Sequence, residues 1–255
     1  MKEYKAYIFD LYGTLVDIRT DESEPKVWKK MKEWYNSHGA DYTRKELRQC
    51  YLQEMENAAE RVIRRHSAVR YPEPDLGRVL KDLFLAKGVK ADEELIAETA
   101  TVLRTASMHR LRLYAGAYAA LRLLKDSGKK LYLLSNAQRL FTINELKKLG
   151  LADGLFNGMV LSSDAMAKKP DALIYEVFFE KYRFNPSDCL MIGNDLFCDI
   201  GGAKKAGMDT YYILTGLSPE EDRKRILSGE KVDADYVQNR TDWEITLHRL
   251  DDKIN

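Results

Sequence analysis

After about Leu111 the sequence alternates between short apolar runs and segments of helical spacing, and this alternation limits the fold more than any other feature. Residues 117–126 read as a helix that stops at Gly128, and residues 130–134 as a strand ending in Ser135-Asn136. Leu140, Ile143, Leu146 and Leu149 mark a second helix, and residues 159–161 a short strand. A helix follows Lys169-Pro170, residues 189–192 form a strand ending in Gly193-Asn194-Asp195, and residues 210–214 form another. Strands alternating with helices predict a parallel, doubly wound α/β sheet. Residues 218–232 read as a charged surface excursion, residues 235–237 as a last edge strand and residues 243–250 as a last helix.

One further strand lies far upstream. Ala6 to Phe9 is an apolar run that ends in Asp10 and, after Leu11-Tyr12, in Gly13-Thr14. A glycine just past a strand suits a sharp turn. Between this strand and the alternating region, residues 17–109 have helical spacing throughout. Val27, Met31, Trp34 and Tyr35 share one face, and Leu47, Tyr51, Met55, Ala58 and Val62 another. Thr43 with Glu46 forms a capping box, and Asp92 suits a helix start. About four amphipathic helices are expected here, a bundle inserted straight after the first strand. The expected division is a Rossmann-like core from residues 1–16 and 112–255, with a helical cap at 17–111 that can act as a lid over the strand ends.

In an open parallel sheet, ligands bind beyond the carboxyl ends of the strands. On that edge the sequence places Asp10, then Ser135 and Asn136, then Lys169, then Asn194, Asp195 and Asp199. Asp10 alone could be a helix cap. Together, the residues make a coherent chemistry. Asp10 can attack as a nucleophile. Ser135 and neighbouring N–H groups can hold anionic oxygens, and Lys169 can neutralise both substrate and nucleophile. Asp10 and Asp195 offer the hard oxygens that Mg²⁺ prefers.

Composition narrows the partners. The chain has 255 residues, of which 45% are hydrophobic and 32% charged, as expected for a soluble globular protein. A net charge of +1 gives no general attraction to nucleic acid or anionic membrane. No apolar run approaches the roughly 18 residues of a membrane span, and the first residues lack a signal-peptide pattern. Cys50, Cys189 and Cys198 fit a reducing, cytoplasmic setting better than a disulfide frame. A phosphorylated small molecule is the expected partner; the oligomeric state is open.

The segments Asp10-Leu-Tyr-Gly-Thr14, Ser135-Asn136, Lys169-Pro170-Asp171 and Gly193-Asn-Asp-x-x-x-Asp199 resemble, in order, the four signature motifs of the haloacid dehalogenase-like hydrolases. The resemblance covers nearly everything to about Leu214, and the helical insert resembles that family's small cap. It implies an aspartyl-enzyme intermediate formed on Asp10 and, in most members, Mg²⁺-dependent phosphate hydrolysis. It implies Mg²⁺ held by Asp10, Asp195 and the Tyr12 carbonyl, substrate contacts from Thr14, Ser135, Asn136 and Lys169, and supporting roles for Asn194 and Asp199. Two positions depart from the commonest pattern. Tyr12 stands where phosphatases of the family carry an acid/base Asp, as in its 2-haloacid dehalogenases. A tyrosine is a poor base at neutral pH, so Tyr12 counts against ester hydrolysis. Asn194 replaces a usual acid. The retained acids, Asp195 and Asp199, favour a Mg²⁺-dependent phosphatase; a metal-independent dehalogenase and a weakly catalytic phospho-ligand or partner-binding protein are the alternatives.

Several other features have plainer readings. The basic run of Arg61, Arg64, Arg65, His66 and Arg70 reads as a solvated helix face rather than a substrate anion site. Trp28, Trp34 and Trp243 read as packing residues, as does Cys198. Asp17 and Asp164 are candidate outer acids.

Overall fold

The computed structural model describes residues 2–152 and 154–251. Residue 1 and residues 252–255, which the expected core range includes, lie outside the described residues.

Six strands form one parallel sheet: β1 (Ala6–Phe9), β4 (Leu131–Ser135), β5 (Gly158–Leu161), β6 (Cys189–Gly193), β7 (Asp209–Ile213) and β8 (Tyr236–Gln238), in the order β5-β4-β1-β6-β7-β8. β1 is central, pairing Tyr7 with Leu131 on one side and Leu190 on the other. Both faces of the sheet are covered. On one, Tyr7, Phe9, Leu133, Ile192 and Tyr211 pack against α5 (Ala117–Asp126) and α11 (Trp243–Leu250). On the other, Ala6, Ile8, Leu134 and Met191 pack against α8 (Ala172–Tyr182) and α9 (Gly202–Lys205). Burial on both sides explains why these strands read as unbroken apolar runs. The expected α/β architecture is the observed one.

The insert contains α1 (Pro25–Ser37), α2 (Arg44–Arg65), α3 (Leu76–Leu85) and α4 (Glu93–Ser107), with a hydrophobic cluster of its own around Tyr35, Leu80 and Phe84. The local signals act as read. Glu46 N donates to Thr43 Oγ1 and Thr43 N to Glu46 Oε2, each at 3.2 Å, and Asp92 caps α4 through Leu95 N. The expectation of helical spacing throughout residues 17–109 is corrected at the two ends of that range. β2 (Val16–Thr20) pairs antiparallel with β3 (Met108–Leu113), so a two-stranded ribbon joins the insert to the sheet. Val16, Ile18 and Thr20 are β-branched at alternate positions, a period-2 signal too short to stand out beside the helices that follow. Asp17 does not line the strand-end cavity; it pairs across the ribbon with Arg110 and Arg112, both at 2.9 Å.

The remaining helices are α6 (Arg139–Lys148), α7 (Ser162–Ala165) and α10 (Glu220–Leu227). Residues 218–232 are therefore less loose than expected: α10 buries Asp222, which accepts from Leu196 N at 2.7 Å, and Ile226. The insert contacts α6, since Leu140 and Phe141 join its cluster. On the other side, the segment from Tyr71 to Glu73 is stitched to the loop before Lys169. Lys168 N donates to Tyr71 O at 2.8 Å and Glu73 N to Met166 O at 3.0 Å. Trp28 and Trp243 are buried as expected, while half-buried Trp34 donates to Thr99.

Candidate active site

The strand ends bring five chain segments to one cavity of about 180 Å³, lined by Asp10, Tyr12, Ser135, Asn136, Lys169, Asn194, Asp195, Cys198, Asp199, Leu217 and Pro219. Asp10 follows β1 directly. Its Oδ1 accepts from Ser135 Oγ at 2.9 Å and Lys169 Nζ at 2.8 Å. Its Oδ2 accepts from Thr14 Oγ1 at 3.1 Å. The turn that permits this is built on Gly13, which has φ of +94°; a Cβ there would meet the Asn194 amide at 2.8 Å. Thr215 Oγ1 fixes the same turn by donating to Gly13 O at 2.6 Å.

Lys169 is buried, and all three of its ammonium donors are used: Asp10 Oδ1, Asp199 Oδ1 at 2.6 Å and Leu134 O at 2.9 Å. Burial works against its charge, but the carboxylates of Asp10 and Asp199 outweigh burial and hold its pKa above the ordinary lysine value. Burial also raises the Asp199 carboxyl, with Lys169 pulling it back. Asp199 Oδ2 accepts from the backbone N–H groups of Asn194 and Asp195 at 3.0 and 3.1 Å. Gly193 makes room for this arrangement, because a Cβ at that position would overlap the Asp199 carboxylate. Asp195 Oδ1 accepts from Phe197 N at 2.8 Å and Cys198 N at 2.7 Å.

Two expected substrate contacts are placed otherwise. Thr14 is fully buried and directs its hydroxyl at Asp10 and Asn194, so it shapes the nucleophile's surroundings and is shut off from the cavity. Asn136 spends both ends of its amide on the Lys169 backbone: Oδ1 accepts from Lys169 N at 2.7 Å and Nδ2 donates to Lys169 O at 3.2 Å. It holds the loop that delivers the ammonium. Asp164 lies outside the cluster, paired with Arg139.

Tyr12 lines the cavity, but its hydroxyl donates to Glu145 Oε2 and lies 3.2 Å from Thr142 Oγ1, with no hydrogen bond to Asp10. Glu145 is in turn held by Arg104 of α4 at 2.6 Å. Burial first, and the Glu145 charge second, raise the Tyr12 pKa well above the ordinary phenol value. Sequence reading missed Glu145, Thr142 and Arg104. The apolar positions taken for α6 were Leu140, Ile143, Leu146 and Leu149, whereas the buried face is Phe141, Thr142, Glu145 and Leu146. A glutamate spaced with Phe141 and Leu146 on one face was the available signal.

The donor chemistry of the cavity fits a hard cation. Its wall carries three carboxylates, Asp10, Asp195 and Asp199, against one ammonium. Asp199 has both oxygens bonded, to Lys169 and to two backbone N–H groups; Asp10, itself paired with Lys169, Ser135 and Thr14, and Asp195 are the carboxylates that would hold a cation, and no three acidic, His or Cys side chains cluster as a metal site among the described residues.

A parallel sheet with an aspartate just past its first strand, a lysine bridging two acids and a helical insert after that strand defines a class, and sequence comparison agrees. The haloacid dehalogenase-like hydrolase family matches residues 4–207, and the chain belongs to that family. Its relatives include phosphatases and dehalogenases. It is 26% identical over 153 residues to a ribulose-1,5-bisphosphate 5-phosphatase of Halopiger xanaduensis, covering 59% of this chain and 60% of that protein. It is 27% identical over 256 residues to an (S)-2-haloacid dehalogenase of Pseudomonas sp. strain YL, covering 98% of this chain and 93% of the other. The chain spans 60%, 50% and 41% of the lengths of the two phosphatases and the nucleotidase it matches first. The fold is similar to that of a family phosphatase from Thermococcus onnurineus, with a TM-score of 0.55, 21% identity and coverage of 96% and 97% of the two chains.

Proposed function

We propose that this hydrolase is a Mg²⁺-dependent phosphatase of a small phosphorylated metabolite, working in the cytoplasm through an aspartyl-phosphate on Asp10. The observation that carries the proposal is the excess of acid over base in the cavity wall: three carboxylates and one ammonium. A phosphate dianion is repelled by such a wall unless a divalent cation offsets it. Asp10, Asp195 and the Tyr12 carbonyl would hold that cation. When bound, it supplies positive charge to the transferring phosphoryl oxygens. The chain's own residues do the rest. The Asp10 carboxylate attacks phosphorus, the bond to the leaving oxygen breaks and that oxygen takes a proton from solvent; a water then hydrolyses the acyl phosphate, giving its hydroxyl to phosphorus and its proton to solvent, to release phosphate and free Asp10. Ser135 and Lys169 orient the carboxylate, and Lys169 offsets its repulsion from the substrate. Asn136, Asn194 and Asp199 keep these groups in place. Residues 17–111 act as the cap over this core, formed by residues 1–16 and 112–255.

Tyr12 favours a second reading, a metal-independent 2-haloacid dehalogenase. With its hydroxyl bound to Glu145, it gives the leaving group no proton, and a halide needs none. A screen over phosphate esters and 2-haloacids, with and without Mg²⁺, tests the proposal. Mg²⁺-dependent phosphate release supports it. Halide release without metal moves the assignment to dehalogenase, and binding without turnover moves it to a ligand-binding protein.

A further inference from the structure

The basic run at the end of α2 takes no part in the hydrolytic cavity. Arg61, Arg64 and Arg65 meet Arg78, from the first turn of α3, around a separate cavity of about 490 Å³ whose wall also includes Asp75 and Met166. The volume lies within the roughly 300–1,000 Å³ usual for small-molecule sites. Among the described residues, the guanidinium groups around it make only loose contacts. Arg61 lies 3.6 Å from Glu54 and from Asp82, Arg64 lies 3.6 Å from Glu60, and Arg78 lies 3.6 Å from Asp82. Arg61 Nη2 is enclosed without a hydrogen-bond partner. The carboxylate of Asp75 is spent on the α3 cap, accepting from Arg78 N at 3.0 Å. By contrast, Arg104, Arg112, Arg139 and Arg225 each donate to a carboxylate at 2.6–2.9 Å, though Arg122 and Arg240 are paired as loosely as the arginines here. Glu54, Glu60 and Asp82 stand near three of these four guanidinium groups, but beyond hydrogen-bond distance, so their N–H donors stay available to a ligand.

We infer that this cavity is a binding site for a small multivalent phosphate anion, separate from the hydrolytic centre. Guanidinium forks bind phosphate oxygens in pairs. A phosphate carries oxygens that radiate in several directions, which suits donors arriving from two helices; a carboxylate offers two oxygens in one plane. Four guanidinium groups arriving from two helices suit a ligand that carries several charged oxygens. The site also has a mechanical setting. Met166 forms part of its wall and sits three residues before Lys169, in the loop already stitched to the insert through Tyr71 and Glu73. An anion seated there would tie α2 and α3 to that loop.

Calorimetric titration of the full chain with sodium pyrophosphate in metal-free buffer tests this. Three proteins are compared: wild type, Lys169→Ala and Arg65→Gln/Arg78→Gln. Arg65 and Arg78 are exposed, so their replacement leaves the fold intact, which circular dichroism checks. The expected result is a one-to-one binding event kept by Lys169→Ala and weakened at least tenfold in the double arginine variant, since charge-assisted hydrogen bonds are lost. Binding that disappears in Lys169→Ala but survives in the arginine variant would place the anion in the hydrolytic cavity and overturn the inference. So would no binding to wild type, or equal displacement of pyrophosphate by citrate.

Discussion

Replacing Tyr12 by Phe separates two roles that the sequence alone leaves merged. If Tyr12 were the proton donor for the leaving group, the loss would cost about 10²–10⁴-fold in turnover of alkyl phosphates. It would cost little with nitrophenyl phosphate, whose leaving group needs no proton. The structure points to a different outcome. The hydroxyl is committed to Glu145, a side chain only 2% exposed, whose other oxygen takes Arg104 at 2.6 Å. Tyr12→Phe therefore removes one hydrogen bond to a buried charge, worth about 1.5–3 kcal/mol. Glu145 is buried but Tyr12 is half-buried against the cavity, so solvent screening puts the loss toward the lower end of that range. Turnover on both substrate types should stay within about tenfold of wild type, while urea denaturation shows the stability loss. Arg104→Met is the companion variant: it leaves the Glu145 charge without its cation, at about 3–5 kcal/mol. A drop of a hundredfold or more in alkyl phosphate turnover by Tyr12→Phe, with stability unchanged, would refute this reasoning.

Asp10→Asn keeps the shape of the nucleophile but not its charge; turnover should fall by at least about a thousandfold while circular dichroism stays native. Chelation should abolish phosphate release, and Asp195→Ala should raise the Mg²⁺ concentration giving half-maximal rate, since it removes one of the two carboxylate ligands. Burial, then the charges of Asp195 and Asp199, push the Cys198 thiol up to about 12. At pH 8 only about one thiol in 10⁴ is thiolate there, against about one in four for an ordinary cysteine. Iodoacetamide should label Cys198 slowly, with labelling rising toward pH 12; rapid labelling at pH 8, read by mass spectrometry, contradicts the raised thiol pKa.

The sequence by itself determined the sheet, the helical insert and most of the cavity. Strands buried on both faces must be apolar throughout, and each ends where a polar residue or glycine breaks the run, so Asp10, Ser135, Asn194 and Asp195 are legible as strand ends. Helix starts at Thr43 and Asp92 were legible because their caps are made within three residues. Other features depended on contacts between distant segments. The β2–β3 ribbon joins residues about 90 positions apart, and neither strand is long enough to show its period alone. Thr14 and Asn136 carry groups able to bind a substrate, and only the packing around them turns those groups inward, onto Asp10 and the Lys169 backbone. The role of Tyr12 was decided by Glu145 on α6 and Arg104 on α4, more than 90 residues further along the chain. A side chain's type is written in the sequence, but where its hydrogen bond goes is set by which distant surface the fold brings within about 3 Å of it.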